Sequence, residues 1–165
     1  MENQVHETFL QIKDAILIVS RGKKSVSSSA GHALMNEHDY AESRFKQARK
    51  NLTLLLKELK SGNWDKWGMI VEQEALSLHA MMMGSKTPYL LMEPNTIAVI
   101  RSVWEKRKSE NWPLYFTLDA GPNVHLLYPK SIASEVETYI NEELVVYCEN
   151  NYWISDQIGS GPVNL

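Results

Sequence analysis

Asp119 stands where an apolar run ends and a turn begins, in the segment Leu114-Tyr115-Phe116-Thr117-Leu118-Asp119-Ala120-Gly121-Pro122-Asn123-Val124. Residues 114–118 have the aromatic and apolar content of a buried strand, and residues 124–128 read as a second one. Gly121-Pro122-Asn123 supplies tight turn chemistry between them. A carboxylate on the rim of a rigid hairpin can be held where a substrate meets it, as general acid–base work requires. An aspartate in a turn can equally bond the amides of that turn, and the local sequence leaves both uses open. A second chemical group lies in Lys23-Lys24-Ser25-Val26-Ser27-Ser28-Ser29-Ala30-Gly31. Its ammonium groups, hydroxyls and glycine suit an anion, and the same composition suits a solvated polar loop.

Other reactive side chains are placed less tellingly. Histidines 6, 32, 38, 79 and 125 form no short His-x-x-x-His pair, and Cys148 is alone, so no zinc site is expected. Glu72, Glu74 and His79 share one predicted helix, but Glu74 and His79 are five apart and need not face the same way. His79 follows the apolar face and reads as a histidine at the core edge with one nitrogen satisfied. Met81-Met82-Met83 reads as gap-filling core. Ser160 lacks the histidine and aspartate order of a hydrolase.

The elements that must position these groups follow from periodicity. Val5, Phe9 and Ile12 recur at near-helical spacing, and residues 15–19 read as a strand. Over 39–60, Ala41, Phe45, Ala48, Leu52, Leu55, Leu56 and Leu59 recur at three and four, which predicts an amphipathic helix with one buried stripe. Ser61-Gly62-Asn63 stops it and starts the next. That helix presents Trp64, Trp67, Val71, Ala75, Leu78 and Met82 on one face and ends near Gly84. So short a connection predicts an antiparallel pair. A third helix is expected over 96–109 with Ile97, Ile100, Val103 and Trp104 inward, a fourth over 131–142, and a last strand over 144–148. Strand, helices, hairpin, helix and strand in that order make an α+β domain with helices against an antiparallel sheet.

With 165 residues, 44% of them hydrophobic and 22% charged, the chain suits a single folded domain over 1–165. A net charge of −3 argues against generic nucleic-acid binding. The apolar runs fall well short of the roughly 20 residues a membrane span needs. One unpaired cysteine fits a reducing cytoplasm.

Three blocks, in this order, resemble the diphosphomevalonate decarboxylases of the small-molecule kinase superfamily that includes galactokinase and homoserine kinase. The first runs from Ala15 to Met35 and holds the Lys23 to Gly31 loop, similar to the family's Lys-x-x-Ser-Ser-x-x-Gly-Met, with His32 in place of the methionine. The second is Glu72-Gln73-Glu74-Ala75-Leu76-Ser77-Leu78-His79-Ala80. The third, Tyr115-Phe116-Thr117-Leu118-Asp119-Ala120-Gly121-Pro122-Asn123, is similar to the family's Asp-Ala-Gly-Pro-Asn signature nearly throughout. The resemblance implies a ferredoxin-like antiparallel sheet with helices packed on one face. It implies Asp119 as the catalytic carboxylate, Ser27 and Ser28 facing the diphosphate substrate, and Lys24 near the ATP phosphates. The register of the serines is unsettled by His32.

The implied reaction is ATP- and Mg2+-dependent conversion of mevalonate 5-diphosphate to isopentenyl diphosphate, with loss of phosphate and CO2. The family's phosphate-cradling Gly/Ser-rich loop belongs to an N-terminal half that has no counterpart in this sequence. The chain therefore reads as the C-terminal domain of such an enzyme, expressed alone or recorded from an internal Met, and inactive without its other half. A mevalonate 3-kinase or a phosphomevalonate decarboxylase could use the same hairpin. A reading from another class is a non-catalytic binding module, dimerising through helix faces that carry Trp64, Trp67 or Trp104.

Overall fold

The computed structural model describes residues 5–22 and 38–159. Four strands, β1 (Ile12–Leu17), β2 (Tyr115–Leu118), β3 (Val124–Pro129) and β4 (Trp153–Gln157), form one sheet in the order β2-β3-β1-β4. Each neighbouring pair is antiparallel. This is the split β-α-β arrangement of ferredoxin-like folds, in which β3 separates β1 from β2. Among the described residues the α-helices are α1 (Ala41–Ser61), α2 (Trp64–Met83), α3 (Pro94–Glu110) and α4 (Ala133–Tyr139).

Alternation decides which face of the sheet is dry. Ala15 and Leu17, Phe116 and Leu118, and Val124, Leu126 and Tyr128 point to one side. There they meet Val99, Ile100 and Val103 of α3 and Val136 and Tyr139 of α4 in the main core. Burying side chains of this size stabilises by about 1.5–3 kcal/mol each. A smaller aromatic cluster of Phe9, Trp64, Trp67 and Tyr115 packs where α2 meets the outer side of β2. Gly68 makes that contact possible: a Cβ there would sit 2.2 Å from the Tyr115 ring.

The α1–α2 pair forms as expected. Gly62 ends α1 in the left-handed region at φ 75°, and Asn63 caps α2 by accepting from the Lys66 amide. Four sequence expectations are corrected. Residues 144–148 are not a strand: Leu144 closes a π-helical turn that extends α4, and Val145–Tyr147 is a 3-10 turn. The last strand lies later, at Trp153–Gln157, where partly exposed residues pair with β1. The expected stripe of α1 is largely exposed at Phe45, Leu52 and Leu56, while Asn51 and Glu58 are buried. In α3 the inward residues are Thr96, Val99, Ile100 and Val103, with Ile97 and Trp104 well exposed. The near-helical spacing at the N-terminus yields only the 3-10 turn Glu7–Phe9.

Candidate active site

Asp119 follows β2 directly, and its residue is exposed. The turn that carries it is tied down by side chains from α2 and α3 and by its own Asn123 to the chain just beyond β1. The His79 Nε2 of α2 bonds the Asp119 carbonyl at 3.0 Å, and His79 is only 1% exposed. A carbonyl can only accept, so this nitrogen carries the proton and His79 serves as a donor. Burial lowers its pKa from the ordinary histidine value, which outweighs the bond to Asp119 and the nearby Asp119 charge. The hydroxyl of Thr96, fully buried in the first turn of α3, donates to the Pro122 carbonyl. The Asn123 side chain accepts from the Ser20 amide at 3.1 Å, just beyond β1.

These ties fix the turn's backbone while leaving Asp119 at the surface. The Asn123 bond also brings the exit of β1 beside the turn. Glu149 holds that exit from its other side, accepting from the Arg21 amide at 2.6 Å and donating its own amide to the Ile18 carbonyl at 2.7 Å. Lys24, Ser27 and Ser28 themselves lie outside the described residues.

Edge strand β2 is aligned by α2 at two points. Glu72, 6% exposed, accepts from the Phe116 amide at 3.2 Å, and His79 donates to Asp119. Seven residues of helix advance about 10.5 Å, and three residues of strand advance about 10 Å. Helix and strand thus match rise for rise, and α2 satisfies polar groups that an edge strand would leave open. Glu72 is in turn gripped by Arg107, whose Nη1 and Nη2 reach its two oxygens at 2.8 and 3.1 Å, and by the Trp104 indole at 3.1 Å. The guanidinium also donates to the Leu114 carbonyl at 3.1 Å and lies over the Tyr115 ring. The sequence contained the clue to this face: Glu72, Ala75, His79 and Met82 recur at three, four and three on α2.

Behind the turn, on the outer face of the sheet, His125 Nδ1 lies 2.9 Å from Asp14 Oδ2. That bond raises the His125 pKa, with smaller support from the Asp14, Asp119 and Asp156 charges. Cys148 is buried and its thiol is pushed up to about 11, so it is held as a neutral thiol. Among the described residues no cluster of His, Cys, Asp and Glu is arranged to hold a metal ion, and no helix is long and apolar enough to cross a membrane.

The sequence matches the family model for the mevalonate 5-diphosphate decarboxylase C-terminal domain over residues 15–162. The chain belongs to that family. It is 31% identical over 97 residues to a phosphomevalonate decarboxylase from Haloferax volcanii, a match covering 58% of this chain and 28% of the relative. It is also similar to a mevalonate pyrophosphate decarboxylase from Streptococcus pyogenes, with TM-score 0.82 and 26% identity over 96% of this chain and 48% of that one. At 22% identity, the structure of MDDEF in complex with MVAPP, AMPPCP and magnesium shares the fold, with TM-score 0.78 over 88% of this chain and 43% of that one. The chain thus spans less than half the length of each relative it matches here. The family's α+β, ferredoxin-like domain is the one expected from the three sequence blocks.

Proposed function

We propose that this chain is the domain that supplies the catalytic carboxylate in an ATP-dependent decarboxylase of a phosphorylated mevalonate. The observation that carries the reading is Asp119, an exposed carboxylate on a turn locked by His79, Thr96 and Asn123. A carboxylate exposed on a backbone that the fold holds fixed is kept in place, which suits a residue that must meet a substrate.

In this reading Asp119 orients the 3-hydroxyl of mevalonate 5-diphosphate and accepts its proton as the hydroxyl oxygen takes the γ-phosphoryl group of ATP. An alkoxide is too basic to form fully beforehand, so proton transfer comes late in a loose transition state. Phosphate then leaves with the C–O bonding pair, and the electrons of the C–CO2 bond become the double bond as CO2 departs. The Asp119 charge favours the positive charge developing at the carbon. Magnesium, arriving with the nucleotide, supplies charge neutralisation of the phosphates. Lys24 is assigned to the ATP phosphates and Ser27 and Ser28 to the substrate's phosphoryl end. The ATP-binding N-terminal half completes the site, and the location is cytoplasmic.

The haloarchaeal relative favours mevalonate 5-phosphate as a second substrate to be tested beside the diphosphate. The test joins this chain to a compatible N-terminal half and measures ATP-dependent CO2 release from each substrate, with Asp119→Asn in parallel. Release from one substrate, abolished by the substitution, supports the reading and names the substrate. ATP consumption without CO2 would indicate a 3-kinase. Absence of both from a folded, ATP-binding fusion would overturn the assignment in favour of a binding module.

A further inference from the structure

A groove of about 600 Å³ runs between the last turns of α1 and the first turns of α2, with Leu54, Lys57, Glu58, Lys66, Met69 and Ile70 among its walls. Neither Asp119 nor its supports belong to it. Glu58 is 6% exposed, yet its carboxylate is poorly served. The Ser61 hydroxyl lies 3.3 Å from Oε2 and 3.2 Å from the Glu58 carbonyl, so its one proton is divided between two acceptors. Oε1 has no partner among the described residues, and it is not one of the polar atoms sealed from solvent. A buried carboxylate with an open oxygen in a groove wall calls for a donor.

The rest of the wall says what should carry that donor. Lys57 and Lys66 are both exposed, and neither forms an ion pair with Glu58 or with any other described residue. Lys57 precedes Glu58 by one position, which turns its stem about 100° away around the helix, and Lys66 stands in the first turn of α2. Their ammonium groups are thus rim charges that favour an anion. A lone amine would meet those two cations, and a lone carboxylate would meet Glu58. A zwitterion satisfies both signs. Leu54, Met69 and Ile70 add an apolar surface, and Met69 is 64% exposed, a large side chain left open to water.

We infer that this groove binds a free apolar α-amino acid, its ammonium group donating to Glu58 Oε1, its carboxylate held by Lys57 and Lys66, and its side chain lying on Leu54, Met69 and Ile70. The inference does not depend on the proposed reaction. The test titrates the full 165-residue chain with leucine and reads the Met69 methyl and Glu58 side-chain carboxyl resonances together with calorimetry. Three analogues each lack one feature: isocaproate the ammonium, isoamylamine the carboxylate and glycine the apolar body. Leucine is expected to saturate in the low-millimolar range or tighter. Each analogue should bind about tenfold more weakly or worse.

Two sets of substitutions separate recognition from folding. Glu58→Gln keeps the shape and removes the charge, so leucine should weaken about tenfold or more while isocaproate binds no worse. A purely structural role for Glu58 would weaken both alike. Lys57→Ala combined with Lys66→Ala changes only exposed side chains; it should weaken leucine and isocaproate and leave isoamylamine no weaker. Failure of leucine to saturate would overturn the inference, as would unchanged leucine binding in Glu58→Gln, or in the double lysine variant, or an equal loss for leucine and isocaproate in Glu58→Gln. Isocaproate or isoamylamine binding as tightly as leucine would overturn its zwitterionic chemistry, and glycine doing so would overturn its apolar character.

Discussion

Glu72 and Asp119 are both carboxylates joined to strand β2, and the fold uses them in opposite ways. Glu72 is buried and receives donors from Arg107, Trp104 and the Phe116 amide, so both oxygens are committed to holding α2, α3 and β2 together. Asp119 is exposed, and its main-chain carbonyl accepts from His79. The lesson is that a carboxylate becomes structural when its oxygens carry the ties. It is presented at the surface when the fold holds its backbone instead.

Substitution should separate the two most sharply. In the complete enzyme, Asp119→Asn is expected to lower turnover by about 10²–10⁴-fold while the melting temperature stays within about 2 °C, since surface changes away from special features shift stability little. A large loss of melting temperature would make Asp119 another structural carboxylate. Glu72→Ala should do the reverse and cost about 3–5 kcal/mol of stability, because Arg107 is left partly buried without its partner. Urea denaturation measures it, and a loss under about 1 kcal/mol would mean that the Glu72 cluster is not the clamp.

His79→Phe tests the link between the two regions. Removing the donor deletes the bond to the Asp119 carbonyl, at a cost of about 1–3 kcal/mol, and turnover should fall more than the apparent affinity for substrate changes. Its pH dependence has a defined sign. The folded pKa of His79 is lowered, so the unfolded chain binds more protons between that value and about 6.5, and stability falls as pH drops through this window. In His79→Phe that part of the acid slope should disappear; an unchanged slope would assign it to other groups.

The smallest effect is expected on the outer face. The folded pKa of His125 is raised, so its contribution to stability is full below about 6.5 and is lost as pH rises through the folded value. The pair is partly exposed, which limits Asp14→Asn to less than about 1 kcal/mol. The substitution should bring the His125 titration, followed by NMR, back towards the ordinary histidine range. If it does not move, the Asp14 bond is not its cause.

Much of the site was legible because its determinants are local. The turn at Asp119 is written in Gly121-Pro122-Asn123, and the α1–α2 hairpin in Gly62 and Asn63, where conformational preference acts within a few residues. Periodicity failed where a side chain's partner comes from far along the chain. Glu58 and Asn51 are buried while Leu52 and Leu56 are exposed, because the packing of α2 selects which side of α1 is covered. The strand at Trp153–Gln157 carries little apolar alternation and exists by pairing with β1, whereas the apolar residues at 144–148 serve the end of α4.

The sequence by itself determined the α+β class, the family, and the identity of the carboxylate placed after a strand. Only the tertiary structure decided that Glu72 and His79 of α2 meet β2 at matching rises, and that Thr96 and Asn123 close the other sides of the turn. The physical reason is range. Turn and helix preferences act between near neighbours, while the hydrogen bonds that immobilise Asp119 join groups that only the assembled sheet and helices bring within 3 Å or so of one another.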